Sequence, residues 1–148
     1  MLTLTRRTGE TIYIGDNTCI TVYDRLRYHV ILGVLAPANA SLFVGQTSLR
    51  PAILPGGERF YLLTLLSQDV FWIDDIRVHV RFSTTYLSAA PSYTRQIRIS
   101  VHAPRTVQIH REEIYLRTLR EAGKRLPVMP LCAWLRQAHL SVSSHAAA

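Results

Sequence analysis

The sequence predicts a mainly β protein made of two related five-strand units in one chain, with a helix near the C-terminus. Three observations carry this. Short runs rich in β-branched and aromatic residues alternate with Gly, Asp and Pro turn signals through the first 45 residues. The same pattern restarts after a connector rich in Pro and Gly. One later stretch, Arg111 to Ala122, consists of good helix formers throughout.

In the first unit, residues 1–45, Leu2, Leu4 and Arg6 alternate with Thr3, Thr5 and Arg7, the pattern of a half-buried strand. Thr8-Gly9-Glu10 is a turn signal, Thr11 to Ile14 a short strand and Gly15-Asp16-Asn17 a second turn. Ile20 and Val22 alternate with polar residues in a third strand. Tyr28 to Val34 is a fourth, closed at Ala36-Pro37 because proline has no N–H for a ladder. Ala40 to Val44 is the fifth. Residues 46–60 read as a connector, since Pro51, Pro55, Gly56 and Gly57 break any helical period.

The second unit, residues 61–126, repeats this order. Thr64 follows Thr5 by 59 positions, and Ile73-Asp74-Asp75 follows Ile14-Gly15-Asp16 by the same interval. Val101 to Pro104 then repeats Val34 to Pro37 at an interval of 67, a net insertion of eight residues. The turn near 83–94, with Ala89-Ala90-Pro91-Ser92 at its tip, is the natural place for it. Half the chain, about 70 residues, buries too little apolar surface to stand alone, so the two units are expected to fold as one domain. In the helical stretch, Glu112 and Glu113 at the start and Arg120 and Lys124 near the end complement the helix dipole, and Gly123 suits a stop. The extension 127–148 is expected to hold a short amphipathic helix around Trp134, from Leu131 to Leu140, and then a disordered tail.

The formal net charge of +7 favours a polyanionic partner without choosing one. Cys19 and Cys132 make neither a disulfide framework nor a metal site, and read as reduced thiols of a cytoplasmic protein. No signal-peptide core stands out, and no apolar run approaches the roughly 18 residues of a membrane span. No membrane association is expected. Catalysis is not expected either. The chain shows no nucleophile–base set and no Gly-rich phosphate loop. His79, His102 and His110 fall on different strands without acidic or cysteine partners at ligand spacing. The expectation is no cofactor and no metal.

Two segments resemble a known family. Met1-Leu-Thr-Leu-Thr-Arg-Arg-Thr-Gly-Glu-Thr-Ile-Tyr-Ile-Gly-Asp16 is similar to the start of the carbon storage regulators, the CsrA/RsmA family. Val101-His-Ala-Pro-Arg-Thr-Val-Gln-Ile-His-Arg-Glu-Glu-Ile-Tyr115 is similar to that family's ending. The resemblance implies five-strand protomers with a C-terminal helix, whose strands interleave in a homodimer. Here it implies two interleaved units forming an intramolecular pseudo-dimer sandwich, with no homo-oligomer required. It also implies post-transcriptional regulation through GGA-containing single-stranded or hairpin-loop motifs in mRNA leaders or small regulatory RNAs. Each RNA site lies where the first strand of one unit meets the fifth strand of the other.

The two seams are not equally kept. The first unit retains Leu4, Thr5, Arg6 and Arg7, whereas the matching positions of the second are Leu63, Thr64, Leu65 and Leu66. The second unit retains Val107 to Glu113, including Ile109, His110 and Arg111, where the first has Ala40 to Gln46, including Phe43 and Val44. Arg98 likewise corresponds to Ile31. The expectation is one composite RNA site and one degenerate seam of Leu65, Leu66, Phe43 and Val44, which offers no guanidinium to a phosphate or base edge. In the composite site, Leu4 and Thr5 supply backbone contacts and a hydroxyl. Arg6, Arg7, Arg98, Arg105 and Arg111 hold phosphates. Ala103, Pro104, Val107 and Ile109 wall in the bases.

Plainer readings stand beside these. Arg6-Arg7 alone suits a solvated strand face, His110 a surface histidine, Glu112-Glu113 a helix first turn, and Leu65-Leu66 core filler. The competing function is a protein-interaction module or titrator of CsrA-type regulators, with a protein partner at the extra C-terminal segment.

Overall fold

The computed structural model of the chain describes residues 1–84 and 96–124. Twelve strands and one helix fall among them: β1 (Leu2–Arg7), β2 (Thr11–Ile14), β3 (Thr18–Arg25), β4 (His29–Ala36), β5 (Leu42–Val44), β6 (Thr47–Ser48), β7 (Ala52–Ile53), β8 (Arg59–Leu66), β9 (Val70–Ile73), β10 (Ile76–Arg81), β11 (Gln96–His102), β12 (Ile109–Arg111) and α1 (Glu112–Glu121).

The strands form two six-stranded sheets, each built from both units. The first sheet has the order β1-β11-β10-β9-β5-β6, the second β12-β2-β3-β4-β8-β7. In each, strands two to four of one unit are flanked by the first and fifth strands of the other. This is the interleaved sandwich the resemblance implies, closed within one chain. Alternation places one face of each strand in a shared core, which includes Ile12, Ile20, Leu32, Phe71, Val78, Val80 and Ile99. Neither unit owns this core, because every face of it takes side chains from both.

The outer faces differ. On the second sheet Tyr13, Cys19, Tyr23 and Leu35 form a further buried apolar cluster, joined by Leu54, Phe60 and Tyr115. That cover explains why all four residues of β2 are buried. It also explains Gly33, where an added Cβ would meet Tyr23 Cζ at 2.9 Å and Phe60 Cε2 at 3.0 Å.

Several boundaries depart from the expectations. The connector is not strand-free: β6 and β7 lie within 46–60, and β8 begins there at Arg59. The fifth strand starts at Leu42, with Ala40 buried just before it. The interval of 59 holds through β9 but drops by one in β10. Ile14 and Thr18 flank a three-residue turn, whereas Ile73 and Ile76 flank a two-residue one, Asp74-Asp75. Most of the hairpin expected near 83–94, Cys132 and the Trp134 segment lie outside the described residues. No helix among the described residues is long and apolar enough to cross a membrane, and none of their acidic, His and Cys side chains cluster as a metal site would require.

Candidate nucleic-acid interface

β1 ends the first sheet and β12 ends the second, at the same side of the sandwich. Each uses one side for pairing, β1 with β11 and β12 with β2. The other sides carry no strand among the described residues. The two edges are tied by one side-chain bridge. Arg6 donates from Nη2 to Glu113 Oε1 at 2.9 Å and from Nη1 to Oε2 at 3.2 Å. Segment 103–111 runs alongside β1 in the same direction. Met1 lines one depression with Ala103 and Pro104, and Arg6 meets the start of α1.

The pleat decides which groups the β1 edge presents. The Arg7 backbone N–H donates to Glu10 Oε1 at 2.7 Å, so it points away from β11. Antiparallel pairs alternate between bonded and non-bonded, so Thr5, paired with Arg98, presents its backbone outward as well. Its carbonyl accepts from Arg6 Nε at 3.1 Å. Leu4 does the opposite: its backbone faces β11 and its side chain packs against the core. On β12, Gly15 N–H donates to the Gln108 carbonyl at 2.7 Å. By the same alternation Ile109 and Arg111 turn their backbone groups to the open edge.

Arg6 does not match the phosphate-holding role expected of it. It shares the inward face with Leu2 and Leu4, is only 5% exposed, and is also within 3.6 Å of Glu10. A guanidinium so enclosed and matched by carboxylates braces the seam instead. In return, its hydrogen bonds hold the Glu113 carboxyl below the usual carboxylate range, against a smaller opposing effect of desolvation. Glu112 and Glu113 do open the helix, so Glu113 serves the dipole and the brace together.

The other cations are outward. Arg7, Arg98, Arg105 and Arg111 are all exposed. Arg7 and Arg98 lie on the outer face of the first sheet, with Thr5 opposite Arg98 and Gln96 opposite Arg7. With its amide oxygen turned to Arg7, Gln96 accepts from Nη2 at 2.9 Å and Nε at 3.2 Å. Arg105 stands in the turn closed by Val107 N–H donating to the Pro104 carbonyl at 2.9 Å. Arg111 is the N-cap of α1 with extended backbone, and its side chain makes no capping bond. Its guanidinium is therefore available at the positive end of the helix dipole. Ala103, Val107 and Ile109 are partly buried against the core, and Pro104 is exposed beside them. His110 Nε2 lies 3.3 Å from Gln108 Oε1.

Sequence reasoning missed Glu10 and Gln96, which hold Arg7 by its backbone and its side chain. It also missed the stack of Tyr115 on Tyr13, with ring centroids 4.1 Å apart, which docks α1. The only sign of Glu10 was its place three residues after Arg7 in a tight turn.

The second seam is built otherwise. Leu65, at the position of Arg6, is buried in the core, and Leu66 is 50% exposed. Val44 packs inward, while Phe43 pairs with Trp72. The connector straps the edges: β6 pairs with β5, and β7 with the start of β8. Between them Leu49 packs against the core, and its N–H donates to the Leu42 carbonyl at 3.0 Å. Arg59 opens β8 opposite Ile53 of the strap, so charge is missing from the four seam positions but not from that strand.

Comparison with known proteins fits the N-terminal edge. Residues 1–43 match the model of CsrA, the global regulator protein family. The first unit is similar to that family over nearly its whole length. Over 43 residues the chain is 44% identical to the translational regulator CsrA of Desulforamulus reducens, covering 29% of this chain and 54% of that protein. The chain thus spans about half the length of the curated CsrA relative it matches. No solved structure matches the chain. The match stops within β5 and does not reach the second unit.

Proposed function

We propose that this chain is an RNA-binding post-transcriptional regulator that recognises GGA-type single-stranded or hairpin-loop motifs through one composite site between β1 and β12. The carrying observation is the pair of open strand edges at this seam, with exposed Arg7, Arg98 and Arg111 around them. Outward-facing backbone groups of the two edges, the Thr5 N–H and those of Ile109, suit the Watson–Crick edges of splayed purines, and the arginines suit the phosphates between them. The name of the CsrA relative, a translational regulator, supports the same reading.

In this reading Arg7, Arg98, Arg105 and Arg111 hold phosphates, and Arg6 positions the edge they share. Ala103, Pro104, Val107 and Ile109 form the wall, with His110 beside them. The second seam, with Leu65 in the core and the connector strapped across one end, binds no RNA. mRNA leaders and small RNAs with GGA motifs are the partners. A titrator of CsrA-type regulators is less well supported, because such a protein needs strands to exchange, and each five-strand position here is filled from within the chain.

The test is a titration of a single GGA-hairpin RNA into the protein, read by native mass spectrometry beside Arg111→Ala. One RNA per chain, lost in the variant, is the expected result. Two RNAs per chain would mean that the strapped seam also binds. No binding would return the fold to the protein-interaction reading.

A further inference from the structure

The two outer sheet faces occupy equivalent places but carry opposite chemistry. On the second sheet the cross-strand row Tyr13, Cys19, Leu35 is buried beneath Tyr115 and the connector. The matching row on the first sheet is Trp72, Arg77, His102. Two rows further along, Ile31 of β4 is matched by Arg98 of β11, which pairs with Arg81. No helix covers this face among the described residues. The first unit leaves β5 through Gly45, with φ of 62°, into β6, where the second leaves β12 into α1. Trp72 is accordingly 40% exposed, whereas Tyr13 is buried.

The face also has a shape and a charge. Trp72, Arg77 and His102 line a depression of about 440 Å³ that reaches Ala103 and Pro104, the proposed base wall, with Asp75 as its one carboxylate. Arg77, Arg81 and Arg98 pair with no carboxylate among the described residues. Burial, then the charges of Arg77, Arg81 and His102, push the His79 imidazole below its ordinary value. Arg81 and Arg98 continue directly to Thr5 of the β1 edge.

We propose that the outer face of the first sheet is a second RNA-contacting surface, on which unpaired nucleotides flanking the motif stack on Trp72 and set their phosphates on Arg77 and Arg81. An exposed aromatic beside cations on an open sheet is a sequence-tolerant platform for single strands. Arg77 and Arg81 are four positions apart on β10, about 13 Å of strand, so the surface accepts more than one nucleotide. The proposal rests on the RNA reading of the β1–β12 seam, because continuity with that seam is what favours RNA over a protein partner.

The test uses the full chain with Trp134→Phe, which leaves Trp72 as the sole tryptophan reporter. A blunt GGA hairpin, the same hairpin with an unpaired oligouridine arm on either end, and oligouridine alone are titrated separately. An armed RNA is expected to bind about ten-fold more tightly than the blunt one and to quench Trp72. In a fluorescent-RNA assay, Trp72→Ala and, separately, Arg77→Ala with Arg81→Ala should return the armed RNA to blunt affinity and leave the blunt RNA unchanged. Equal affinity of blunt and armed RNAs would overturn the proposal. So would a lowered melting temperature of Trp72→Ala without any RNA effect, which would make the face a packing surface for the chain itself. Failure of the blunt hairpin to bind, with oligouridine still quenching Trp72 in an Arg77-dependent way, would sink the seam reading and keep this one.

Discussion

Arg6 Nη2 lies 2.9 Å from Glu113 Oε1, joining the first strand of the sandwich to the first turn of its helix across 107 positions of sequence. At the other seam the matching positions hold Leu65 and Gln46. The fold thus contains its own control, an ionic brace at one seam and an apolar plug at the other. Arg6→Leu alone should destabilise the chain by about 2 kcal/mol, since charge-assisted hydrogen bonds are lost. Adding Glu113→Gln should recover part of this, because it removes the carboxylate that Arg6→Leu leaves without its cation and gives the seam a Leu–Gln pair like that of the other seam. Urea denaturation of the two variants checks it. A double variant no more stable than Arg6→Leu would mean that the brace does more than fill the seam.

The same contact sets a pH dependence. Arg6 depresses the Glu113 pKa in the folded chain relative to an unfolded value of about 4.3. The stabilisation is therefore complete above the unfolded pKa and is lost as pH falls through the folded one. Glu113 is 55% exposed, so solvent screens the effect and the expected change is small. Acid unfolding of Glu113→Gln should show a shallower loss of stability below about pH 4.5 than the unaltered chain. An unchanged acid limb would assign the acid sensitivity to other carboxylates.

How much of this was legible in the sequence depended on whether a signal was local. β1 and β2 are readable because alternation and turn residues fix them within a few positions. The two-residue strands β6 and β7 carry no period of their own and exist because free edges of β5 and β8 accept them. Arg6 shows the same limit in part. Its alternation with Leu2 and Leu4 did place it on the apolar face, but the carboxylate that makes burial tolerable is brought only by the tertiary fold. The shorter Asp74-Asp75 turn hid the true phase of β10. The basic row on the first sheet came into view only when Arg77 was seen beside Trp72 and His102.

Arg111 offers a cleaner separation of binding from stability. It is exposed, caps α1 through its backbone and makes no side-chain capping bond. Arg111→Ala should therefore change stability by no more than about 0.5 kcal/mol. On the proposed function it should also flatten the slope of log affinity against log salt by about 0.7, the value for one phosphate on a single strand. Titrations at several salt concentrations would read this. Weaker binding with an unaltered slope would mean that Arg111 contacts a base or the protein, not a phosphate.

Tyr115 links the helix to the site. α1 has ten residues, none of them buried, and a helix of that length is marginal in water by itself. Its hold on the body comes from Arg6–Glu113 and from the Tyr115 ring, stacked on Tyr13 at an interplanar angle of 13°. The Tyr115 hydroxyl donates to Asp16 over a long 3.4 Å, which adds little. Tyr115→Phe should therefore keep helix content and RNA affinity, while Tyr115→Ala should lose part of the helical circular dichroism at 222 nm. Because Arg111 is the residue at which α1 begins, loosening the helix should also scatter its guanidinium, and RNA affinity should fall with the helical signal. Full affinity in Tyr115→Ala with the helix frayed would show that β12 positions Arg111 without help from α1.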